Sequence, residues 1–137
     1  MLNETLQHEL ENEWFPNMTD SGLNRVIELL ETGSPFLIHG AFNKALPMGC
    51  LATHIAWHHP FTEHLTMEAG VCWLHKVAGL NPATSLVIRE WDKAARCDIE
   101  LRQELLFELK ECRRGRRSQA NVTKEAIVPT LQVLLIS

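Results

Sequence analysis

Histidine and cysteine are concentrated between residues 50 and 75, where Cys50, His54, His58, His59, His64, Cys72 and His75 account for five of the seven histidines and two of the four cysteines. A spacing of four recurs among them. On an α-helix, positions four apart lie about 40° apart around the axis. Cys50, His54 and His58 therefore form one row, and His64, Glu68 and Cys72 a second, with His75 one turn beyond Cys72. Two imidazoles at i and i+4 can hold one ion from a single helix, and a carboxylate from a neighbouring helix completes a three-ligand site with an open position. The candidate ligands are His54, His58, His64 and Glu68, with Cys50, Trp57, Cys72 and His75 around the pocket. His-plus-carboxylate donors suit a divalent zinc, iron or nickel ion, and the two thiols would favour zinc. A hydrolase or an oxidoreductase is the chemistry such a site would support.

The same residue types also have a purely structural use. Imidazoles cap helix ends or bond backbone carbonyls, and free cysteines pack as small apolar groups. His59, beside Pro60, reads as such a structural residue, His8 as a surface residue in an acidic helix, and His39 as a loop residue before Gly40.

His54-x-x-x-His58 and His64-x-x-x-Glu68 resemble the ligand pairs of haemerythrin-type and DinB-like four-helix metalloproteins. The resemblance implies a helical bundle holding a metal. The chain departs from both families: its two pairs stand on consecutive helices, and no histidine follows His75, whereas those families draw ligands from more widely separated helices. The chain is accordingly assigned to neither.

Other catalytic signatures are absent from the sequence. It has no Gly-x-Ser-x-Gly elbow, no phosphate-cradling Gly-rich loop ending in Lys-Ser/Thr, no His-Glu-x-x-His and no Cys-x-x-Cys. Cys72 and His75 are spaced as a nucleophile–base pair could be, without a feature that would lower the thiol pKa.

These residues must be positioned by helices. Asn3 is an N-cap for a first helix carrying Leu6, Leu10 and Trp14, expected to stop before Pro16. Thr19 or Asp20 caps a second, with Leu23, Val26, Ile27 and Leu30 on one stripe and Gly33 and Pro35 at its end. Residues 36–47 read as a loop with a helical turn. A third helix is expected over 48–58, and a fourth from about 60–62 to Val77 or Ala78. Asn81-Pro82 reads as a helix start, opening a long pattern to Arg114 that is interrupted near Cys97-Asp98, with Leu101, Leu105, Leu109 and Cys112 as its second stripe. A polar linker is expected over 115–121, and a last helix kinked at Pro129, or a strand, beyond it. The expectation is an all-α, single-domain bundle of five to six helices over 1–137.

Composition sets the outer bounds. At 137 residues, 45% hydrophobic and 22% charged, the chain is long enough to bury a core without a metal or disulfide, and too apolar to be disordered. The acidic N-terminus lacks the charged and apolar regions of a signal peptide, and no apolar run approaches a membrane span. A cytoplasmic protein with reduced thiols is expected. The net charge of −4 argues against nucleic acid as a partner, although Lys110, Arg113, Arg114, Arg116 and Arg117 make one basic stretch. Such a stretch ordinarily marks a solvated helix end or a loop, and a phosphate or acidic-partner site is its less common use. Beside the metal-site reading stands a non-enzymatic interaction or regulatory module, homo-oligomeric and with structural histidines, whose apolar surface includes Leu131, Val133, Leu134, Leu135 and Ile136.

Overall fold

The computed structural model describes residues 2–94 and 98–136, with side chains to residue 120. It is all-α, with six helices and, among the described residues, no β-strand. Helix α1 (Glu4–Glu9) continues through a π-helical turn, Leu10–Trp14, and a 3₁₀ turn, Phe15–Asn17. Asn3 caps it as expected, its Oδ1 accepting from Thr5 N at 2.8 Å. Pro16 does not stop the chain there. It sits at the start of the 3₁₀ turn, where its missing N–H costs no bond.

Helix α2 (Asp20–Thr32) follows its sequence signals throughout. Thr19 Oγ1 accepts from Gly22 N at 3.0 Å, and Leu23, Val26, Ile27 and Leu30 are buried. Gly33 closes the helix in the left-handed conformation, φ 61°, which a Cβ would disfavour.

Residues 33–50 form the expected loop, with turns, bends and isolated bridges in place of a helical turn. Isolated bridges pair Leu37 and Asn43 with Gly49, and backbone bonds join Ile38 N to Gly49 O and Cys50 N to Phe42 O. Gly49 and Cys50 are thereby held extended, so α3 (Leu51–Ala56) begins at 51, with Cys50 as its N-cap residue and not inside the helix.

The fourth helix departs most from expectation. Residues 60–68 are turns and bends, and α4 (Ala69–Cys72) starts only after them, running on into a π-helical turn, Trp73–Val77. Side chains hold this segment out of helix. Thr62 Oγ1 donates to Ala56 O at 2.7 Å, Trp57 Nε1 donates to Thr66 O at 3.0 Å, and Asn43 Nδ2 donates to Met67 O. Each occupies a carbonyl or fixes a turn that a continuous helix would need. The second row of candidate ligands is therefore not a helical row: His64 lies in the turn and Glu68 at the N-cap.

α4 crosses α3 at close range. A Cβ on Gly70 would fall 3.0 Å from Thr53 N and collide with Thr53 Oγ1. Only glycine allows the two backbones to pack there.

Asn81 makes a turn instead of a helix start, with Ala83 N bonding its Oδ1 at 2.9 Å, and α5 (Leu86–Lys93) begins only at Leu86, behind the N-cap Ser85. The expected interruption near Cys97-Asp98 corresponds to the gap between α5 and α6 (Ile99–Ile136). Cys97 itself lies outside the described residues. Where a polar linker is expected over 115–121 the backbone of α6 is helical, and it stays helical past Pro129, which excludes the strand there and keeps the helix. The stretch holds Arg and Gln, good helix formers whose propensity outweighs a single Gly115, and Arg116 ties it to the bundle. The C-terminal apolar side chains named above lie outside the described side chains.

The core is built on Trp14, Trp73 and Trp91, all essentially buried, with Trp14 and Trp73 meeting edge-on at 5.2 Å. Each indole N–H finds a partner: Glu9 Oε2 for Trp14, Asn17 O for Trp73 and Ile38 O for Trp91. Leu105 and Leu109 of α6 are buried against this core, as their stripe predicts. Among the described residues, no helix is long and apolar enough to cross a membrane.

Candidate functional site

His54, on α3, is 2% exposed, and its Nε2 lies 2.7 Å from Phe36 O. A carbonyl only accepts, so the ring proton sits on Nε2 and that nitrogen is committed to the loop. Burial, the largest influence, lowers the His54 pKa below the ordinary 6.5, and Arg25 and His58 push it the same way. The imidazole is neutral at pH 7. Trp57 meets it edge-on at 5.2 Å.

His58 faces a different neighbour. Its Nδ1 lies 2.7 Å from Ser21 Oγ, and its carbonyl accepts from Thr19 Oγ1 at 2.6 Å, so residue 58 fastens the end of α3 to the start of α2. His59, structural as expected, accepts from Phe61 N through Nδ1 at 3.2 Å, and burial lowers its pKa. His8 bonds Asn12 on the surface. His39 donates from Nδ1 to Trp91 O at 2.7 Å and stacks on the Trp91 ring at 3.9 Å, while its Nε2 is buried without a hydrogen-bond partner. That stack pins the 33–50 loop to α5, joined by Gly40 N bonding Asp92 Oδ1 at 3.0 Å.

The four candidate ligands are thus not brought together as the spacing implied. His54 and His58 are bonded to different segments, and His64 and Glu68 are exposed. Among the described residues, no group of three or more His, Cys, Asp or Glu side chains is placed to hold a metal ion. Cys50 is buried against Thr53 Oγ1, and burial raises its thiol pKa, so it packs as an apolar group.

Three of the eight candidate residues do share a site of another kind. Glu68, Cys72 and His75 line one open groove of about 570 Å³, together with Lys76 and the apolar Leu65, Met67, Val71 and Pro82. Met67 is 49% exposed and Val71 40%. Glu68 at the N-cap of α4, Val71 and Cys72 within it, and His75 and Lys76 in the π-helical turn that follows stand at i, i+3, i+4, i+7 and i+8 and share this groove. Metal-ligand spacing marks Glu68, Cys72 and His75 but not Val71, Lys76 or Met67. The signal that finds them is an apolar residue on a face otherwise exposed and charged.

The basic stretch is largely engaged within the chain. Arg116 donates to Phe15 O and Met18 O at 2.6 and 2.9 Å and pairs with Asp20 at 2.9 Å. Arg113 bonds Asn24 Oδ1 at 3.2 Å, Lys110 pairs with Glu31 at 3.5 Å, and Arg114 pairs with Glu111. Comparison with protein-family models, curated proteins and solved structures finds no match to this chain.

Proposed function

We propose that this protein is a non-enzymatic protein-interaction module whose histidines serve the fold and whose working surface is the groove along α4. The observation that carries this reading is the division of labour among its polar residues. The buried His54 and the half-buried His58 bond other segments, Phe36 O and Ser21 Oγ, and the buried His59 holds its own turn through Phe61 N. The exposed Glu68, His75 and Lys76 instead rim an apolar channel containing Met67 and Val71. Exposed apolar side chains gathered in a groove with a polar rim are the usual anatomy of a protein-binding face.

The test is capture by the immobilised chain, wild type against a Met67→Glu/Val71→Glu variant shown by circular dichroism to keep its helicity. The reading expects partners retained by wild type to be lost from the variant. Identical capture by both proteins would contradict it.

A further inference from the structure

We propose that the α4 groove binds a second copy of this chain, in an antiparallel, two-fold symmetric contact centred on Cys72. The inference rests on the reading of the groove as a protein-binding face and names its occupant. Its basis is charge complementarity. Glu68 stands at the N-terminal end of the exposed stripe and Lys76 at the C-terminal end, with Val71 and Cys72 between them. Neither the Glu68 carboxylate nor the Lys76 ammonium has an ion-pair partner among the described residues.

Cys72 lies four residues from each. A two-fold axis through Cys72 therefore lays Glu68 of one copy against Lys76 of the other, and the same pair recurs on the far side of the axis. The apolar Val71 is covered between the two charge pairs, and Met67 stands next to Glu68 at the edge of the contact. A parallel arrangement would set like charges opposite and is disfavoured.

Phe61, 73% exposed, extends the apolar face beyond Lys76, which it accompanies in an adjoining groove. A stripe about two helical turns long is roughly 12 Å and covers less than the ~1,200 Å² of a standard interface. The contact is therefore weak, with a dissociation constant on the order of micromolar or above.

Sedimentation velocity over a concentration series tests this on four proteins: wild type, Lys76→Glu, Glu68→Lys and the double variant Glu68→Lys/Lys76→Glu. Both substituted positions are on the surface, and circular dichroism checks that each protein is folded. The expected result is a concentration-dependent dimer in wild type, weakened roughly tenfold or more in either single variant and restored in the double. A wild type that stays monomeric throughout, singles that dimerise like wild type, or a double that fails to recover would each overturn the pairing. Self-pairing alone fails if wild type is monomeric while the Met67→Glu/Val71→Glu variant still loses other captured partners. If capture is also unchanged, the groove reading fails with it.

Discussion

Glu9 and Ser85, far apart in sequence, are in contact, with Glu9 Oε2 lying 2.7 Å from Ser85 Oγ. The same carboxylate accepts from Leu86 N at 2.9 Å, Val87 N at 3.1 Å and Trp14 Nε1 at 3.0 Å. A side chain from α1 thus caps the first turn of α5, where free N–H groups and the helix dipole favour a negative charge. Replacing Glu9 with Ala strands those donors and is expected to cost about 3 kcal/mol. Glu9→Gln, which keeps an acceptor, should lose clearly less. Urea unfolding checks the order, and equal losses would refute it.

Gly70 is the contact point of α3 and α4. Gly70→Ala must displace Thr53, whose Oγ1 is already bonded to Phe42 O at 2.6 Å. Overpacking of this kind costs about 1–3 kcal/mol. Gly115→Ala is the control, since a Cβ there meets nothing within 4 Å and replaces a weak helix former with the best one. It should stabilise slightly, and thermal unfolding of the two variants should move in opposite directions.

Arg116 fastens α6 to the α1–α2 corner through two carbonyls and Asp20. Arg116→Ala should cost about 1–2 kcal/mol and speed amide exchange in the adjacent turns of α6. Arg114→Ala removes only an exposed pair with Glu111 and should leave exchange unchanged. Equal exchange in both variants would show that Arg116 is not a fastener.

Acid should weaken the fold through its histidines. Burial lowers the folded-state pKa of both His54 and His59 below 6.5. As pH falls through about 6.5 the unfolded chain takes up protons before the folded one, so stability present at pH 7 is lost until the folded-state values are passed. Chemical denaturation at pH 7 and pH 5 should show this loss, and His54→Gln, which retains an N–H for Phe36 O, should reduce it. An undiminished pH dependence in that variant would remove His54 as its source.

What the sequence disclosed is governed by distance along the chain. The caps Asn3 and Thr19, the Gly33 terminator and the Leu105–Leu109 stripe act within a turn or two of themselves, and all were readable from local pattern. The delayed start of α4 was not. It depends on Asn43 reaching Met67 O and on Trp57 reaching Thr66 O, contacts that exist only once the loop has folded. The Glu9 cap on α5 is hidden for the same reason. At the site, helical spacing puts Glu68, Cys72 and His75 on one surface, because Glu68 caps α4, Cys72 ends it and His75 lies in the π-helical turn that continues it. It failed for His64, which precedes that helix, and for His54 and His58, whose partners Phe36 and Ser21 come from elements no spacing rule connects to them.

The central claim is that these histidines hold the fold while the α4 groove faces a partner. It is tested most directly by melting temperatures of wild type, His54→Ala, His58→Ala, His64→Ala and Glu68→Gln, each with a chelator and with zinc, iron or nickel. The account predicts lower melting temperatures for the His54 and His58 variants alone, and no specific rise with any metal. A ligand bound at 100 times its dissociation constant would add about 2.7 kcal/mol to the native state. A metal-dependent rise of that size in wild type, lost on replacing His54 or Glu68, would contradict the account and restore the metal site.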